Sequence, residues 1–229
     1  MKFGITTFLF FLSFNFALGQ KYRIAKTNPA FQKVRADENF DCIHENFDTS
    51  MYQWVADYVV TFDTVQPGTI ETTFKEVWER ANRLGANAYK LTGSDLYCIG
   101  EPRHYELSVY WLRMEDRDSN LHLFNSGDVY LFGFLGHHVE LDGYEVVSGE
   151  EEILVEELTC YHFDMEHDQK VDIRIGSKNR GEIHNVRANA NTLPEYLYFQ
   201  HTTGGGQNAF ISTYPWNFAE FLIRALQKG

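Results

Sequence analysis

From Gln53 to Phe62 the chain alternates: Trp54, Ala56, Tyr58, Val60 and Phe62 share one side, while Gln53, Asp57 and Thr61 lie on the other. Successive side chains of a strand point to opposite faces, so this period of two predicts a strand with one dry face. Glu106–Met114 repeats the pattern, with Leu107, Val109 and Trp111 on one face. Short runs of the same kind recur after Asp128, at a spacing suited to a sandwich. They cover 128–134, 139–147, 153–158, 160–165, 170–175, 181–187 and 195–200, with Asp142-Gly143 as a two-residue hairpin turn. Aromatic residues make up 16% of the chain and supply large side chains for such an interior.

Helices interrupt this pattern at two places. Pro67-Gly68 reads as a turn that closes the first strand. Thr73 and Glu76 then form a capping-box pair, and Phe74, Val77, Trp78, Ala81 and Leu84 fall on one helical side. Gly85 stands where a left-handed residue ends a helix, so the glycine-containing stretch "RLGANAYKLTG" reads as a helix stop leading into a strand from Asn87. On that reading, alanine at Gly85 costs on the order of 1 kcal/mol. Near the C-terminus, Phe218, Phe221, Leu222, Ala225 and Leu226 define a second apolar helical face, opened by Asn217 with Glu220 three residues on.

The resulting fold class is α+β, mostly β: a small α/β N-terminal domain followed by an antiparallel β-sandwich with a C-terminal helix. Its parts are a signal peptide (1–19), an extended lead-in (20–46), the α/β domain (47–115) and the sandwich with its helix (121–229). The charged stretch "MEDRDSN" serves as the loop between the two domains. The signal assignment rests on Lys2, the apolar run Phe3–Leu18 and small residues before Gln20. That run is shorter than the roughly 20 residues of a spanning helix, so export with cleavage is expected and no transmembrane span afterwards. The localisation expected is secreted or periplasmic. A net charge of −12 disfavours phosphate backbones, so no nucleic-acid partner is expected. Three cysteines, Cys42, Cys98 and Cys160, permit at most one internal bridge. Cys42 with Cys98 is the pairing expected, at about 4 kcal/mol of stabilisation in the chain-entropy picture; three reduced, buried thiols are the other possibility.

Two stretches resemble known domains. "WERANRLGANAYKLTG", through Ala81, Leu84, Gly85, Ala86, Asn87 and Ala88, resembles small exported bacterial α/β domains in which a helix ends in A-x-x-L-G-A-N-A (residues 70–91 here). Members of that group are envelope or stress-response proteins without established catalysis, so the resemblance implies a fold and no site. Val129-Tyr130, Asp142-Gly143-Tyr144-Glu145-Val146 and Tyr196-Leu197-Tyr198 resemble bacterial periplasmic β-sandwich domains over 128–200.

"CYHFDMEHD" is the best metal candidate. In a strand, Cys160, His162 and Asp164 share one face, and Glu166 and His167 extend the set toward a zinc shell, with His137 and His138 as further donors. The reading adopted is nevertheless a strand with a wet side, leaving Tyr161, Phe163 and Met165 buried and Cys160, His162 and Asp164 comparatively exposed, with the metal site as its alternative. "DRDSN" starts like a calcium loop, yet Leu121 stands at the required glycine and Gly127 at the terminal glutamate. Gly204–Gly206 lack the G-K-[ST] of a phosphate loop, and neither G-x-S-x-G nor H-E-x-x-H occurs. The function expected is therefore a non-catalytic exported envelope or extracellular interaction module with a protein or glycan partner and no cofactor. Alternatives are a zinc-binding module using Cys160, His162, Asp164 and His167, and a carbohydrate-active hydrolase with a carboxylate pair.

Overall fold

The computed structural model describes residues 20–34, 39–62, 67–96, 103–124, 128–133, 144–148, 151–155, 160–163, 170–175, 182–187, 193–201 and 209–226. Residues 1–19, Cys98, His137, His138, Asp142-Gly143, Asp164–His167 and Gly204–Gly206 lie outside them, with the expectations that rest on them. The protein is α+β and mostly β.

The alternating segments build a five-stranded sheet in the order β1 (Gln20–Thr27), β3 (Gln53–Phe62), β5 (Arg103–Trp111), β4 (Ala88–Ser94), β2 (Asp41–Cys42). β1, β3, β5 and β4 run antiparallel, and β2 adds parallel to β4. Ala56, Tyr58, Val60 and Phe62 of β3 and Tyr105, Leu107 and Val109 of β5 are buried on one face, as the alternation predicts. Trp54 departs from it. A bulge between Trp54 and Ala56 inserts Val55 into the dry face and turns Trp54 to the opposite one.

Two helices cover the dry face. α1 (Pro67–Leu84) lies over β1 and β3; α3 (Trp216–Leu226) lies over β4 and β2. They meet through Phe74, whose ring lies 5.3 Å from Phe218 and 4.9 Å from Phe221, while Phe221 also meets Tyr105 at 4.8 Å. α1 begins at the Pro-Gly pair, six residues before Thr73. Proline fits the first helical position because its missing N–H would be unpaired there anyway. Thr73 is therefore inside the helix, its hydroxyl donating to the Thr69 carbonyl at 2.6 Å. The stop at Gly85 is as expected: φ is +101°, the Gly85 N–H donates to Asn82 and the Ala86 N–H to Ala81, a Schellman closure. Asn87 then clamps Leu112, accepting from its N–H and donating to its C=O, both at 2.8 Å.

"MEDRDSN" forms α2 (Met114–Leu121) rather than a loop. Asp116, Asp118 and Asn120 are thus helical, and no calcium loop forms there. The second half holds two four-stranded sheets. One contains β11 (Glu182–Arg187), β10 (Lys170–Ile175), β7 (Tyr144–Ser148) and β8 (Glu151–Val155), all antiparallel. The other contains β13 (Ala209–Thr213), β12 (Glu195–His201), β6 (Val129–Phe132) and β9 (Cys160–Phe163). It is mixed, because β6 and β12 run parallel. The chain builds the whole β7–β8–β10–β11 sheet between them and returns to β12 from the same end, a long connection that local hairpin signals do not reveal. β13 (Ala209–Thr213) is a strand that the sequence reading did not assign. Through Tyr214, whose ring lies 5.2 Å from Phe218, this sheet joins the cluster around α3, along with Phe132 and Tyr196. No helix among the described residues is long and apolar enough to cross a membrane.

Candidate functional site

Of the four proposed zinc ligands, Cys160 and His162 are described and Asp164 and His167 are not. β9 pairs with β6, setting His162 opposite Tyr130 and Cys160 opposite Phe132. His162 is exposed; its ring stacks on Tyr130 at 4.5 Å and its Nε2 lies 3.4 Å from a carboxylate oxygen of buried Asp128. Cys160 differs from the expected wet-face position: it is half-buried against the core, and Tyr161 is half-buried as well. Burial pushes the Cys160 thiol up to about 12. Among the described residues no three metal-ligating side chains gather.

A buried polar centre lies beneath α3 and went unrecognised in the sequence. Glu220 accepts from the Tyr196 hydroxyl at 2.8 Å and, on its other oxygen, from Arg224 one turn later at 3.5 Å. Burial raises the Glu220 carboxyl above its ordinary range, with Tyr196 and Arg224 pulling back. Cys42 and Tyr89 lie alongside. Burial lifts the Cys42 thiol to about 12, and the Tyr89 hydroxyl donates to the Asn217 carbonyl. Cys42 is a free, fully buried thiol, and its expected partner Cys98 lies outside the described residues. Each polar atom of Glu220 is thus spent on joining α3 to β12 and to itself. A clue was legible: Glu220 and Arg224 stand four apart beside an apolar helical face.

The two edges of the five-stranded sheet are built differently. At the β2 edge, the Asn120 side chain of α2 accepts from the His44 N–H and donates to the Cys42 carbonyl, both at 2.8 Å. An amide placed this way satisfies the backbone as one residue of a further strand would. Arg117 of α2 pairs with buried Asp41, and Asn217 donates to the Phe40 carbonyl at 3.1 Å. At the β1 edge, β3 is the one strand paired with β1 among the described residues, and Lys21, Arg23, Ile24, Ala25 and Lys26 are exposed.

Next to that edge lies the wet face of the sheet. Asp57 organises its centre, accepting from Trp54 Nε1 and from Ser108 Oγ, each at 2.7 Å. The bulge that re-aims Trp54 makes the first of these bonds possible. Lys26 sits over the Trp54 ring at 5.2 Å from its centroid. At the far end His104 Nδ1 lies 2.6 Å from Asp95. No family model matches the chain, and no curated protein or solved structure matches it either.

Proposed function

We propose that the protein is a non-catalytic, exported interaction module, secreted or periplasmic, whose contact surface is the β1 edge and the adjoining wet face of the five-stranded sheet. The observation that carries this reading is the asymmetry of the two edges: Asn120 fills hydrogen-bonding positions of one, while the other has no strand beyond β1 among the described residues and an exposed row of side chains. An unpaired sheet edge is a template for another chain. The buried carboxyl, hydroxyl and amide groups of Glu220, Tyr196 and Asn217 support the same reading, because they are engaged in tying elements together.

Lysine-reactive footprinting tests the proposal. Lys21 and Lys26 are expected to be protected in the native exported fraction relative to purified protein, with exposed Lys33 and Lys75 as references. Equal reactivity of all four in both preparations contradicts it. Metal analysis of the purified protein decides the separate zinc reading on Cys160, His162, Asp164 and His167, where one bound zinc per chain is required.

A further inference from the structure

We infer that the occupant of the β1 edge is an extended acidic peptide segment that adds to the sheet as a further strand. This deepens the interaction-module reading and rests on it. The register places the charges. Lys21 pairs with Thr61 and Arg23 with Val59, so both side chains point to the wet face. The bulge between Ile24 and Lys26 restores that face for Lys26, now opposite Asp57. Three cations therefore line one side of one strand, and β1, "QKYRIAKT", carries no anion. The chain as a whole has 32 acidic residues against 20 basic ones. Lys21 and Arg23 have no charged or hydrogen-bonding side-chain partner among the described residues.

Charge selects among occupants. A second copy adding through its own β1 would set cations against cations, and like charges across a strand pair are destabilising. A nucleic acid would meet a short cationic strip on a chain of net charge −12. An acidic strand gains where its carboxylates fall opposite Lys21 and Arg23 and, past the bulge, Lys26. Its other face meets Ile24, which is 41% exposed on the helix side of the sheet and favours a β-branched or apolar residue there. The partner chemistry is thus an alternation of carboxylates with apolar residues, held by main-chain hydrogen bonds along the edge.

The test is fluorescence anisotropy with a labelled peptide matching β1 in length and alternating Glu with Val. The full-length mature protein should bind it at low ionic strength and should not bind the counterpart with Lys in place of Glu. Combining Lys21→Glu, Arg23→Glu and Lys26→Glu should weaken binding about tenfold or more, since each exposed ion pair contributes modestly. The milder set Lys21→Gln, Arg23→Gln and Lys26→Gln should weaken it less and guards against misfolding of the first. N-methylation of alternate peptide amides, which keeps the charge and removes donors, should abolish binding. Equal binding by the N-methylated peptide, equal binding by the charge-reversed protein, or no binding by the wild type each overturns the inference. Absence of peptide binding with Lys21 and Lys26 still protected in the native fraction rejects the acidic strand while leaving an interaction surface standing. Loss of both rejects the two together.

Discussion

The β2 and β1 margins belong to one sheet, yet among the described residues the first is capped by side chains and the second is not. At β2, α2 supplies a side-chain amide and a buried ion pair, so the outward Cys42 carbonyl, the His44 N–H and the Asp41 carboxylate are engaged internally. At β1 no strand other than β3 pairs among the described residues, and the side chains that line it, Lys21, Arg23 and Lys26 among them, are exposed. Edge lysines discourage a sheet from pairing with its own kind. They do so without closing it to a strand of opposite charge, which is why the open margin reads as selective.

The largest effect is expected where the closed edge is broken. Asn120→Ala leaves the Cys42 carbonyl and the His44 N–H without partners and should cost about 2–4 kcal/mol in urea unfolding. A cost near zero would mean that the amide does not close the edge. Next comes Gly85→Ala. The lead-in that follows β1 folds back over this glycine, so a Cβ would stand 2.8 Å from the Val34 carbonyl oxygen and 3.2 Å from the Phe31 ring. Strain at positive φ and this clash together should cost about 2 kcal/mol or more, above the sequence-based figure. An unfolding midpoint equal to wild type would show that the lead-in does not pack there.

A third effect sharpens the closed side through pH. Because burial raises the folded-state Glu220 carboxyl above its unfolded value, the folded protein holds that proton more tightly. The stabilising contribution is fully present below the unfolded value and is lost as pH rises through the folded one. Wild type should therefore gain stability relative to Glu220→Gln as pH falls from 7 toward the ordinary glutamate range. A difference that is flat with pH, followed by thermal unfolding, would place Glu220 in solvent. The smallest effect belongs to the open edge: combining Lys21→Gln, Arg23→Gln and Lys26→Gln should change stability by less than about 0.5 kcal/mol. A larger loss would mean that β1 is braced after all.

Much of the dry face was legible. Alternation in β3 and β5 placed Tyr58, Val60, Leu107 and Val109, and Gly85 marked its helix end, because these signals depend on neighbours in sequence. The edge contrast was not legible. Asn120 braces His44 from 76 residues away, and within "MEDRDSN" the single apolar residue, Met114, is too little to announce a helical face. That helix is held by what Arg117 and Asn120 reach, so local pattern could only read it as a charged loop. Trp54 misled for a related reason: a bulge shifts the frame without disturbing the alternation of residue types. Glu220 was read as a helix-start partner of Asn217. Its burial depends on Tyr196, on a strand that a long connection carries to α3.

Residue-resolved hydrogen exchange of the purified protein tests the edge contrast most directly. The His44 amide, bonded to Asn120, should exchange as slowly as the amides of β3 and β5, while alternate amides of β1 exchange nearly as fast as those of an unfolded chain. Uniform protection along β1, equal to that of β3, would contradict the account, and so would a His44 amide that exchanges freely.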